Sequence, residues 1–68
     1  KDYHRGENGQ FTLCPVGEGD IPLPEIVHTL LRDGYDGYFS LEWEKKWVPS
    51  LAEPEEVFPA FVRYMRAL

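Results

Sequence analysis

The spacing of apolar residues changes period across Gly34, and that change restricts what this chain can fold into more than any other feature. Leu23, Ile26, Val27, Leu30 and Leu31 recur at i, i+3, i+4, i+7 and i+8, one stripe of a helix, with Glu25, His28, Thr29 and Arg32 on the other side. From Tyr38 to Glu44 the period is two: Phe39, Leu41 and Trp43 share one face, and Tyr38, Ser40, Glu42 and Glu44 the other. Gly34 suits a left-handed helix end, and Tyr35-Asp36-Gly37 turns the chain into the next element. The spacing predicts a helix over 21–33 and a strand over 38–44, an αβ unit of the kind that builds parallel sheets. Strands of such sheets are apolar on both faces, so an aromatic strand that runs into Glu42 and Glu44 calls for an explanation.

The flanking segments add simpler signals. Gly6-Glu7-Asn8-Gly9 tolerates the positive φ of a short hairpin loop, so residues 1–20 read as a strand or hairpin followed by a Gly-rich loop. A structured loop fits the same residues. Asp20 is a candidate cap for the first helix, and Pro22 and Pro24 are tolerated only in its first turn. Glu53-Pro54-Glu55-Glu56 opens a second helix over 54–67, with acids at the positive end of its dipole and Arg63 and Arg66 at the negative end. Val57, Phe61, Tyr64, Met65 and Leu68 form its apolar stripe, and Pro59 is expected to kink it.

Sixty-eight residues suffice for one small domain, which buries only ~60% of the surface its unfolded chain exposes. Cys14 is the single cysteine, so no internal disulfide can compensate, and an unpaired thiol suits a reducing cytoplasm. A net charge of -5 opposes phosphate backbones and argues against nucleic acid as a partner. No apolar run is long enough for a membrane span or a signal core. The opening Lys1-Asp2-Tyr3, without an initiator methionine, reads as a cut start.

Taken in order, Lys1-Asp2, Gly17-Glu18-Gly19-Asp20-Ile21, Leu30 with Gly34-Tyr35-Asp36-Gly37, and the strand reaching Glu42 resemble the C-terminal part of the sugar phosphate isomerase/epimerase family, the xylose-isomerase-like (β/α)8 barrels. The resemblance covers residues 1–44; the last helix agrees in position and pattern. It implies an α/β fold, a C-terminal βαβα segment amounting to about a quarter of a TIM barrel. Lys1-Asp2 would end the seventh strand as the tail of His-x-Lys-Asp, and 38–44 would be the eighth strand, delivering Glu42 to the C-terminal mouth.

The resemblance also implies a chemistry. Family members hold one divalent cation, Mn, Mg or Co, with two glutamates, an aspartate and a histidine, and Glu42 matches the last glutamate. Glu42 would then be a metal ligand and a candidate acid/base for proton transfer next to a sugar carbonyl. Arg5 stands where some sugar epimerases, in a His-x5-Arg arrangement, keep a substrate-contacting arginine, and Trp47 is a candidate wall of the sugar or sugar phosphate pocket. Only one of four ligands lies in this chain, so tight cation binding and catalysis are not expected of it alone.

The competing expectation is an autonomous small binding or self-association module without catalysis. Two helices and three short strands leave apolar faces without neighbours, which predicts association with a second copy or with missing barrel segments. His4, near Asp2 and Glu7 in sequence, does not define a metal site, and Cys14 reads as a half-buried small residue.

Overall fold

The computed structural model describes residues 1–68 and contains two strands and two helices, β1 (Asp2–Arg5), β2 (Phe11–Cys14), α1 (Leu23–Arg32) and α2 (Pro54–Arg66). It is a small α/β chain whose sheet is a single antiparallel pair. Asp2 faces Cys14, Tyr3 faces Leu13, His4 faces Thr12 and Arg5 faces Phe11. The connection closes because Gly9 takes φ 79° and Gln10 N–H donates to Asn8 Oδ1 at 3.1 Å, an Asx turn. The hairpin alternative, rather than a structured loop, is the one adopted. The Tyr3 and Phe11 rings meet edge to face with centroids 4.7 Å apart.

Asp20 lies along the other edge of β1. Its N–H donates to the Tyr3 carbonyl at 2.7 Å, and its Oδ2 accepts from Arg5 N–H at 2.9 Å. The expected role of Asp20 as a helix cap is thereby corrected: its carboxylate serves the hairpin, and α1 starts after Pro22 with no side-chain cap. Proline at the helix start removes one of the amides that a cap would have served. At the other end Gly34 takes φ 90°, and Gly34 and Tyr35 N–H bond the Leu31 and Leu30 carbonyls at 3.1 and 3.0 Å.

The helices follow the spacing closely, and α2 continues through Pro59. The strand expected over 38–44 is a different case. No backbone–backbone hydrogen bond involves any residue from Asp36 to Trp43, so the second strand of the expected βαβα order, third after the two of the hairpin, is absent as a hydrogen-bonded element. The reason is the missing neighbour: a strand is defined by its ladder, and no second strand lies beside this one. The alternation itself survives, with Phe39, Leu41 and Trp43 half-buried and Tyr38, Ser40 and Glu42 exposed.

The core is correspondingly thin. Cys14, Val27 and Val57, one residue each from β2, α1 and α2, are the buried apolar side chains. Ile26, Leu30 and Leu31 on α1, and Phe58 and Val62 on α2, stay exposed. Between the helices lies an open apolar groove of about 130 Å³, lined by Leu23, Ile26, Leu30, Phe39, Phe61 and Met65, with Lys1 as its one charged residue. No helix is long and apolar enough to cross a membrane.

Candidate functional site

The start of β1 organises the polar part of the molecule. Asp2 is fully buried, and its carboxylate accepts from four backbone amides: Tyr3 at 2.9 Å, Gly17 at 2.9 Å, Gly19 at 3.0 Å and Ile21 at 3.3 Å. A ring of amides converging on one point is an anion nest, and here the chain fills the nest with its own carboxylate. Gly19 is required by contact, because a Cβ there would overlap the Tyr3 carbonyl and the Asp2 carboxylate. Gly17 has φ 94° and lies against the Tyr64 ring, which ties the loop to α2. The "GEG" residues therefore wrap Asp2, and no buried side-chain polar atom lacks a partner.

Beside this anchor, the Lys1 ammonium bonds and pairs with the Glu44 carboxylate. That hydrogen bond, then the charge of Glu44, and more weakly that of Glu42, raise the Lys1 pKa against a small opposing effect of desolvation. The pair brings the start of β1 to the acidic end of the 38–44 segment, 43 residues away in sequence. Glu44, on the polar face of the alternation, is half-buried and engaged.

The residues singled out from sequence are not gathered into one site. Glu42 is exposed on the polar side of its segment, close enough to Lys1 for its charge to be felt there. Arg5 ends β1 with its guanidinium 5.1 Å above the Phe11 ring, a stacking contact within the hairpin. Trp47 is 73% exposed in the turn after Glu44, with the Lys46 ammonium 5.0 Å from its ring. No hydrogen bond, ion pair or stacking contact joins Glu42, Arg5 and Trp47. Trp43 is held by its indole N–H, which donates to the Ala52 carbonyl at 2.9 Å, and Lys45 fastens the same loop through the Pro49 and Leu51 carbonyls at 2.6 and 2.7 Å.

A resident cation does not fit this chain by itself. No three His, Cys, Asp or Glu side chains are placed to hold a metal ion. The carboxylate of Asp2 is spent on amides and that of Glu44 on Lys1, which leaves Glu42 as one oxygen donor where a hard cation takes about six. Sequence reasoning missed Asp2 and Lys1 as organising residues; their only signal was that the Lys-Asp pair and the Gly-x-Gly loop occur together.

No family model, curated protein or solved structure matches the chain.

Proposed function

We propose that this chain is the C-terminal part of a divalent-cation-dependent sugar or sugar phosphate isomerase/epimerase, in which Glu42 is the active-site carboxylate. The observation that carries the reading is the meeting of Lys1 with Glu44, beside an exposed Glu42. Neighbouring barrel strands present their C-terminal ends side by side, and a seventh strand ending at Lys1-Asp2, which here opens β1, would be set by this pair next to the acidic end of the 38–44 segment. The burial alternation supports it too, since Phe39, Leu41 and Trp43 turn inward and Glu42 stays free to face a cavity.

In a longer protein that carries this chain, the cation would polarise the sugar carbonyl, and its remaining ligands would come from outside these 68 residues. The part assigned to this chain is narrower. Glu42 takes or returns the proton next to the carbonyl, Lys1 holds its neighbour Glu44, and Asp2 fixes the loop that places Lys1. Arg5 and Trp47 are proposed substrate contacts, which requires Arg5 to leave the Phe11 ring. A reducing cytoplasm is the proposed location, from the unpaired Cys14.

The test is Mn²⁺ or Mg²⁺ binding by calorimetry and ketose isomerisation or epimerisation by the longer protein. Glu42→Gln should lower activity by about 10²-fold or more while leaving the fold intact. Unchanged turnover in Glu42→Gln, together with no cation binding by the unsubstituted protein, would overturn the proposal.

A further inference from the structure

The segment from Tyr38 to Glu44 combines three properties that no other part of the chain shares. Its backbone N–H and C=O groups from Tyr38 to Trp43 have no backbone partner. From Tyr38 to Trp43 its side chains alternate between exposed and half-buried, as in a strand with one covered face. Its inward residues Phe39 and Leu41 are apolar, and Phe39 and Ser40 border the open groove between the helices. The Tyr38 carbonyl accepts from the Tyr35 hydroxyl at 2.6 Å, and the remaining row of free backbone groups beside apolar side chains is a template for strand addition.

The open shape of the chain leaves enough surface for a partner of substantial size. The chain exposes 5302 Å², whereas a compact monomer of its mass exposes roughly 4,400 Å². The excess is of the order of the ~800 Å² that each partner contributes to an ordinary protein interface.

The sequence of the segment says which partner fits. Laid antiparallel on a second copy about Leu41, Phe39 falls opposite Trp43, Leu41 opposite itself, Ser40 opposite Glu42 and Tyr38 opposite Glu44. Aromatic residues then pair on the covered face, and no two acids face each other. Beyond the ladder, Asp36 of each copy meets the turn carrying the exposed Lys46 of the other. Shifting the register by two residues in one direction sets Glu42 against Glu42, and in the other sets Asp36 against Glu44. A shift of one mixes the apolar and acidic faces. Of these registers, the one centred on Leu41 alone satisfies both charge and apolar pattern.

We infer that the free chain forms a symmetric dimer by antiparallel pairing of Tyr38–Glu44 with the same segment of a second copy, in the register that places Leu41 opposite Leu41. The two-fold axis passes through that residue pair, so the interface is closed and does not propagate. The inference deepens the self-association reading and does not rest on the enzymatic one. A barrel carrying the chain would offer the same edge to its own strands, so cation binding and dimerisation can fail separately.

Opposed residues in an antiparallel ladder have Cα atoms about 4.5–5.5 Å apart, within disulfide range, while residues six positions along the strand are about 20 Å apart. In a Cys14→Ala background, Leu41→Cys should form a disulfide-linked dimer under diamide, and Tyr38→Cys should not. Because Leu41 is half-buried, exposed charge reversals supply an independent test. Asp36→Lys and Lys46→Asp should each weaken self-association ~10-fold in sedimentation velocity, and an equimolar mixture of the two should restore it. A chain that sediments as a monomer, Tyr38→Cys linking as readily as Leu41→Cys, or two reversals that fail to rescue each other would overturn the inference.

Discussion

At the scale of single residues, Asp2 contributes most to order. Its buried carboxylate answers four amides, three of them from the loop that leads into α1. Hydrogen bonds to a charged group are worth about 1.5–3 kcal/mol each, and an amide left buried without a partner costs a similar amount. Asp2→Ala is therefore expected to lose about 3 kcal/mol in urea unfolding, a large share of the roughly 3–10 kcal/mol available to a chain of this size. Hydrogen exchange at Gly17 and Gly19 should accelerate first, and unchanged protection there would count against the account. None of this was legible from residue patterns, because Asp2 bonds residues 15 to 19 positions away through backbone groups that leave no mark on side-chain periodicity. Cys14 shows the opposite case, a residue whose smallness and apolar neighbours suggested burial, which the structure increases from half to nearly complete. Burial, and after it the charge of Asp2 with smaller effects of Glu18 and Asp20, pushes the Cys14 thiol above its ordinary 9.0. The thiolate is the reactive form, so alkylation should be slower than for a free thiol at neutral pH and rise only as pH passes the elevated value. The linked stability has the same sign: it is present below the unfolded-state pKa and is lost as pH rises through the folded one. An alkylation rate matching that of a short cysteine peptide would contradict both.

At the scale of elements, both helices were readable because their information is local: a stripe of apolar residues, prolines near the start, acids in the first turn of α2 and glycine after α1. The third strand was readable only in its alternation. Pairing is a property of two segments, and no second segment of the chain lies beside this one. The candidate site divides in the same way. Glu42 is exposed on the side that the alternation assigns to it, but its approach to Lys1 spans most of the chain and has no sequence period. The elements also differ in how much they bury. Val57 is 2% exposed, the most buried apolar side chain, so Val57→Ala should cost about 2 kcal/mol in thermal or chemical unfolding. Phe58, one residue on and half exposed, should tolerate truncation to alanine with a smaller loss for its size. Equal losses at the two positions would mean that α2 presents a different face to the core.

At the scale of the whole molecule, three buried apolar side chains cannot balance the conformational entropy of ordering 68 residues, so association and folding should be coupled. A dimer that stabilises the folded state by mass action makes the melting temperature depend on protein concentration. The chain should therefore melt at progressively higher temperature as it is concentrated. Proline placed in the 38–44 segment separates this coupling from intrinsic folding, because the amides it removes carry no backbone bond within the chain. Successive N–H groups of an extended segment point to opposite edges, so only one of Ser40 and Leu41 donates toward the partner. Ser40→Pro and Leu41→Pro should accordingly split: one loses the concentration dependence while keeping the helical circular dichroism of α1 and α2, and the other retains most of it. Two prolines with equal effects, or melting independent of concentration in the parent chain, would place the missing partner of this fold elsewhere than along that edge.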